Sequence, residues 1–271
     1  MRLSRRDLMK NAGMLAAATG FGGLALSVGA SAIAQTADKQ AAPLELPWPY
    51  KKIDPLVVAE EAYAGYYKGA CSYGVFEGIV GQLKKEVGAP YTTFPSTMLV
   101  VGQGGVADTA SLCGCLNGAA SAIFLVTGGM ENKKREVPYQ LIQEVFNWYE
   151  QTELPDYRPK NPKYDIVRSV SRSTLCHVSV TKWCKAAGFK AFSKERSERC
   201  AWITASVAKY TAELLNSYAD GAFKMAHPLT AATKTCRGCH DKGSKLENTR
   251  AMMDCGGCHF TPKAKTAHPK F

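Results

Sequence analysis

The sequence predicts an all-α protein, a helical bundle body followed by a small C-terminal tail that a cofactor has to organise. Apolar residues recur with helical spacing through most of residues 54–222, and strand-type alternation is nearly absent. After Ala226 aliphatic residues become scarce while cysteines and histidines crowd together, too little apolar material to fold alone. The 271 residues are 46% hydrophobic and 21% charged, which excludes a disordered, collagen-like or multi-span membrane chain. Ten cysteines and a formal charge of +11 are the unusual features.

Residues 1–34 read as an export signal. MRLSRRDLMK is basic, residues 11–30 are uncharged and rich in Ala and Gly, and Ala32-Ile33-Ala34 offers small residues for cleavage before Gln35. Ser4-Arg5-Arg6-Asp7-Leu8-Met9-Lys10 resembles a twin-arginine signal, so the expected location is the periplasm, with no membrane anchor left after cleavage. An uncleaved anchor is the alternative, but the middle stretch is too weakly lipophilic for it. Cleavage removes Arg2, Arg5, Arg6 and Lys10 against Asp7, and what remains is still basic.

Residues 35–53 contain Pro43, Pro47 and Pro49 and read as an extended lead-in. Asp54-Pro55 pairs an N-cap with a first-turn proline, and a helix is expected from there to about residue 85, with Val75, Phe76, Ile79, Val80 and Leu83 on its buried side. Gly88, Pro90 and Pro95 end it, and residues 97–101 give the one hint of a strand. A second helix is expected over 108–127, with Gly128-Gly129 as its stop and a small-residue face of Ala110, Gly114, Gly118, Ala119 and Ala120. A third, over about 138–153, buries Leu141, Ile142, Val145, Phe146 and Trp148. Residues 154–172 read as a loop, and further helices fit 174–187 and 193–218, the last one started by Ser193. The expected domains are therefore a cysteine-rich body over 54–222 and a tail over 223–271.

Within the tail, Cys236-Arg237-Gly238-Cys239-His240 and Cys255-Gly256-Gly257-Cys258-His259 each match CxxCH, the attachment pattern of c-type haem. Two thiols three positions apart can each add to a haem vinyl group, and the adjacent histidine then ligates the iron. The same four thiols also satisfy a structural zinc pattern, and they could form disulfides. A four-cysteine zinc site needs neither histidine, and export favours haem, which is attached outside the cytoplasm. Two haem c per chain are expected, with His240 and His259 as proximal ligands. His227, His268 and His177 are the candidates for two distal positions. If two of these bind, both irons are six-coordinate, which favours electron transfer over small-molecule chemistry.

Cys71, Cys113, Cys115, Cys176, Cys184 and Cys200 lie in the body. An iron-sulfur cluster needs about four converging thiolates, whereas disulfides, a redox dithiol or plain packing would also use cysteines of this kind. The export route favours a cluster, because the twin-arginine route carries folded chains and a cluster is built in the cytoplasm. Which four would ligate is open.

These residues together carry a resemblance. The twin-arginine start, Cys71-Ser72-Tyr73-Gly74-Val75-Phe76, Cys113-Gly114-Cys115-Leu116-Asn117-Gly118-Ala119, Cys176-His177-Val178-Ser179-Val180-Thr181-Lys182-Trp183-Cys184 and the two CxxCH motifs resemble the split-Soret cytochromes c over nearly the whole mature chain. The body is also similar to a wider redox-active family with cysteines around a Gly-Cys-Ala segment. Gly114-Cys115 matches it, Leu116 replaces the alanine, and Cys113 is additional. The resemblance implies a homodimer with two bis-histidine haems per subunit, one axial histidine coming from the partner subunit, and a [2Fe-2S] centre in the cysteine-rich body. It also implies a place in anaerobic respiration.

Nine basic residues against three acidic from Lys224 to Phe271 make the haem end positive, a rim that would steer an acidic redox partner or neutralise haem propionates. Nucleic acid is not an expected partner, because basic and aromatic residues do not interleave. The expected function is thus a periplasmic electron-relay cytochrome with no catalytic side chains. The alternatives are a haem enzyme reducing a small molecule at an open iron site, and a zinc- or disulfide-stapled binding module.

Overall fold

Asp54 opens the first helix as expected: its Oδ1 accepts from the Leu56 N–H at 2.8 Å, and Pro55 occupies the first turn. This computed structural model describes residues 45–250, 252–257 and 259. The export signal, most of the lead-in, Cys258 and His268 lie outside the described residues. So does the whole unit Met1–Ala42, and everything below concerns the unit Pro43–Phe271.

Helix α1, Pro55–Glu86, is not the single helix that the spacing predicts. Gly69 (φ −148°, ψ 23°) and Ala70 (φ 61°, ψ −166°) leave the helical path, and the chain doubles back. A Cβ built on Gly65 would stand 3.0 Å from the Gly74 Cα, and one on Gly78 would stand 2.8 Å from the Ala62 Cβ. Lys85 Nζ lies 2.6 Å from Glu61 Oε1, which ties the open ends of the two arms together. Both arms keep a helical period, so periodicity alone could not show the break. The small residues Ala62, Gly65, Gly74 and Gly78 let the arms touch.

Two 3₁₀ turns follow, Tyr91–Thr93 and Ser96–Gly102, the second replacing the strand hinted at over 97–101. Gly102 packs on Ser72, whose Cβ would be 2.5 Å from any added Cβ, so this segment is held against the second arm of α1 and has no strand to pair with. Gly104, Gly105, Val106, Ala107, Asp108 and Ala110 all have positive φ, so α2 starts at Gly114 and not at 108. Helix α2, Gly114–Thr127, uses its small face as expected, with Gly118 pressed on the Ser72 backbone.

Helix α3 is Glu136–Gln151, shifted by two residues from the expected span and preceded by a 3₁₀ turn at Asn132–Arg135. The loop over 154–172 is bracketed by two short antiparallel strands, β1 Glu153–Leu154 and β2 Ser169–Val170. Helices α4, Cys176–Ala187, and α5, Lys194–Ala219, match their expected spans, and Ser193 caps α5 by accepting from the Arg196 N–H. In the tail, α6 is Ala231–His240, and a last 3₁₀ turn is Cys255–Gly257.

The fold is all-α, as the sequence predicts. Phe76, Ile79 and Leu83 of α1, Leu116 and Ile123 of α2, Leu141 of α3 and Leu215 of α5 are fully buried at its centre. Among the described residues no helix is long and apolar enough to cross a membrane.

Two glycines of α1, seven residues apart, test the close-packed hairpin. A Cβ at Gly74 would meet Thr204 Cγ2 at 2.7 Å and Ala62 O at 2.9 Å, whereas one at Gly81 has only ordinary contacts at 3.6 Å. Gly74→Ala is expected to lose about 1–3 kcal/mol of stability, and Gly81→Ala to gain about 0.5–1 kcal/mol. Denaturant unfolding of both variants checks the opposite signs.

Candidate functional site

Five of the six body cysteines open onto one cavity of about 480 Å³: Cys71, Cys113, Cys115, Cys176 and Cys200. The fold explains the meeting. Cys71 is the first residue after the break in α1, Cys113 is the N-cap of α2 and Cys115 lies in its first turn, and Cys176 begins α4. Four of the five thiols thus sit at starts of helical segments, where unpaired N–H groups and the macrodipole favour negative charge. The starts of α2 and α4 are tied side by side: Cys113 N–H donates to Thr174 O at 2.9 Å and Cys176 N–H to Ser111 O at 2.7 Å. Cys200 comes from α5. Cys184, more than two turns along α4, does not line the cavity and is the one candidate that the fold leaves apart.

The thiols divide by environment. Cys113 is lowered to about 6, chiefly by a hydrogen bond from the Cys115 thiol, with Tyr149 and Arg199 acting the same way against burial. Cys71 is lowered, again chiefly through Cys115. Burial raises Cys115 well above the ordinary range, and it pushes Cys176 up to about 12. Cys200 is raised by burial despite the opposing charge of Arg199.

Around them runs a buried polar chain. Arg199 Nη2 donates to Ser179 Oγ at 2.7 Å, Ser179 Oγ lies 2.8 Å from the Tyr149 hydroxyl, and that hydroxyl donates to Cys113 Sγ at 3.3 Å. Arg199 is only 2% exposed, its Nε has no hydrogen-bond partner, and no carboxylate forms an ion pair with it among the described residues. A buried guanidinium needs negative charge beside it, and here only sulfur is placed to supply it. Soft sulfur donors around a cavity next to a buried cation would suit an anionic iron-sulfur group. Among the described residues no three His, Cys, Asp or Glu are arranged to hold a single metal ion as they stand, so the thiols surround a space and do not form a ready cage.

The tail docks on α3. Asn147 Nδ2 donates to His227 O at 2.7 Å, Gln151 Nε2 to Pro228 O at 3.0 Å, and Asp254 N–H to both carboxylate oxygens of Glu150 at 3.1 Å. Cys236 and Cys239 lie on the last turns of α6, which His240 ends. The His240 Nδ1 donates to Asn248 Oδ1 at 2.7 Å, which fixes the orientation of the ring. Helix α6 packs against the turn Cys255–Gly257, and the Cys255 thiol is raised first by burial and then by the neighbouring Cys236 thiol, so the two CxxCH motifs meet. His259 is exposed, its N–H donating to Cys255 O at 2.9 Å. His177 is exposed in the first turn of α4 and does not line the cysteine cavity, and His227 lies against α3. From Ala226 on, only Thr233 and Asp254 are buried among the described residues, and a Cβ on Gly238 would meet open space. A segment with so little core and an open motif face fits covalent haem.

The family described as "Putative redox-active protein (C_GCAxxG_C_C)" matches residues 70–214, the stretch from the break in α1 to α5 that supplies the cavity cysteines. The "Split-Soret cytochrome c" of Desulfovibrio desulfuricans is 38% identical over 96% of this chain and 95% of its own length. The chain belongs to the split-Soret cytochrome c family. A solved structure of the D. desulfuricans ATCC 27774 protein, described as having a novel iron centre, is 39% identical and superposes with a TM-score of 0.73 over 82% of this chain and 95% of that one.

Several residues of this split-Soret family member were missed at the level of sequence. Arg199, Ser179 and Tyr149 sit in helices whose periodicity marks them only as buried or half-buried. Glu144, Asn147 and Glu150 were the visible signal, since polar residues at spacing of three lie on a helix otherwise rich in apolar residues. Glu150 is 3% exposed and is raised to about 7, first by burial and against the hydrogen bond from the Asp254 N–H. The native state therefore holds a proton that the unfolded chain releases from about pH 4.5 upward, and stability falls as pH rises toward 7. Glu150→Gln mimics the protonated form. It is expected to match the parent at pH 5 and to exceed it by about 1–3 kcal/mol at pH 8. Denaturant unfolding at both values checks this, and a pH-independent difference contradicts it.

Proposed function

We propose that the chain is a periplasmic dihaem c-type cytochrome that relays single electrons, with a second, iron-sulfur centre in the cysteine cavity. The observation that carries the reading is the packing of α6, which bears the first CxxCH motif, against the turn Cys255–Gly257 of the second, on a tail with almost no core of its own. Membership of the split-Soret cytochrome c family supports it.

In this reading Cys236, Cys239, Cys255 and Cys258 hold two haems through thioether bonds, and His240 and His259 are the proximal ligands. The two distal ligands would be drawn from His227, His268 and His177, with one axial histidine coming across a homodimer interface. Bound haem supplies a one-electron iron couple. The chain's own part is to hold the imidazoles, as Asn248 does for His240, and to place positive charge around the tail, which steers an acidic partner. In the cavity, four of Cys71, Cys113, Cys115, Cys176 and Cys200 would hold a [2Fe-2S] group. The novel iron centre described for the D. desulfuricans protein supports this, as does the buried Arg199, which meets sulfur and, among the described residues, no carboxylate. Export by the twin-arginine route accounts for delivery of a folded, cluster-bearing body, and anaerobic respiration for its use.

Pyridine haemochrome analysis of the purified protein is expected to give two covalent haems per chain, and one in a Cys236→Ser/Cys239→Ser variant. A colourless parent protein contradicts the reading. Carbon monoxide is expected to leave the reduced spectrum unchanged, whereas immediate binding points to an open iron and a reductase. Arg199→Met is expected to lose more than half of the non-haem iron and acid-labile sulfide while keeping both haems. A parent protein without labile sulfide contradicts the cluster.

A further inference from the structure

Glu144 is fully buried on α3, yet its carboxylate is crowded with donors. The backbone N–H of Ala226 donates to Oε2 at 3.0 Å, that of His227 to Oε2 at 3.0 Å, the His227 ring Nδ1 lies 2.6 Å from Oε1, and the Tyr210 hydroxyl donates to Oε1 at 2.8 Å. Tyr210 is itself fixed by stacking on Trp148, with ring centroids 4.2 Å apart. With two backbone N–H groups and a hydroxyl already donating to this carboxylate, Nδ1 of His227 meets it as a further donor, and Nε2 is the ring nitrogen turned away from it. Among the described residues Nε2 has no hydrogen-bond partner, and the side chain is 30% exposed. Carboxylate on one ring nitrogen and metal on the other is the arrangement that orients an imidazole ligand and increases its basicity.

We propose that Glu144 is a positioning residue for one haem: it fixes His227 as the distal iron ligand through Nε2 and, through the charge it sets against Nδ1, lowers that haem's reduction potential. The inference rests on the dihaem reading. A more basic imidazole favours ferric over ferrous iron, which gives the sign. Tyr210 works against Glu144, because its hydroxyl draws on the same carboxylate oxygen that the imidazole uses and stands 3.2 Å from Nδ1 itself. Asn147 and Gln151 hold the backbone of residues 227 and 228 independently, so removing the charge need not release the segment.

The test is a spectroelectrochemical titration of the holoprotein. Glu144→Gln is expected to keep two low-spin haems and to raise the potential of one of them, leaving the other in place. Tyr210→Phe is expected to shift the same haem in the opposite direction, which a merely structural role would not do. In His227→Ala the reduced protein is expected to bind carbon monoxide at one haem, and added imidazole to close that site again, so the assignment stays testable should Glu144→Gln fail to fold. Two covalent haems whose potentials do not move, together with an inert His227→Ala protein, overturn this assignment alone. A parent protein without covalent haem overturns the dihaem reading as well.

Discussion

A buried guanidinium with no carboxylate to meet it is the constraint around which this body is arranged. Arg199 is enclosed by α5, Ser179 and the cysteine cavity, and its charge has to be answered by sulfur or by whatever the sulfur holds. The fold delivers thiols there from the starts of helical segments, the positions where the backbone itself tolerates anions best. The break at Gly69 and Ala70 belongs to the same device. It ends one arm of α1 and begins the next at Cys71, so a chain reversal and a thiol come from the same few residues.

Helix α3 joins the two candidate redox sites. Its neighbours Tyr149 and Glu150 diverge, one hydroxyl reaching Cys113 and one carboxylate holding the backbone of Asp254, next to Cys255. Thr174 spans the same gap: its carbonyl accepts from the Cys113 N–H, and its hydroxyl lies 3.8 Å from the Met253 sulfur. Tyr149, Glu150 and Thr174 thus link the cavity to the segment just before Cys255. Under the proposed function, electrons would pass between the two sites through this short stretch of protein.

The sequence showed some of this and hid the rest for identifiable reasons. The CxxCH motifs stand out in the sequence because covalent haem attachment, on which the proposed function rests, ties residue type to spacing. The helices were legible where apolar residues recur at helical spacing, as in α5, and the caps at Asp54 and Ser193 were legible because side-chain oxygens there accept from backbone N–H groups. The reversal in α1 was hidden because both arms share one period and the break falls on a single glycine and an alanine. The late start of α2 was hidden because positive φ at Val106, Ala107 and Asp108 is imposed by tertiary packing and has no signature in those residue types. Six cysteines were equivalent on paper, and only folding separates Cys184 from the five that meet. Arg199 and Glu144 read as ordinary charged helix residues until their burial was known.

The most direct test of the whole account is an anaerobic crystal structure of the exported protein with anomalous diffraction recorded at the iron edge. The account predicts one iron peak beside Nε2 of His240, one beside His259, and further iron density inside the cavity within bonding distance of at least three of Cys71, Cys113, Cys115, Cys176 and Cys200. Zinc at the CxxCH thiols, or a cavity whose cysteines are joined to one another with no iron near Arg199, would contradict it.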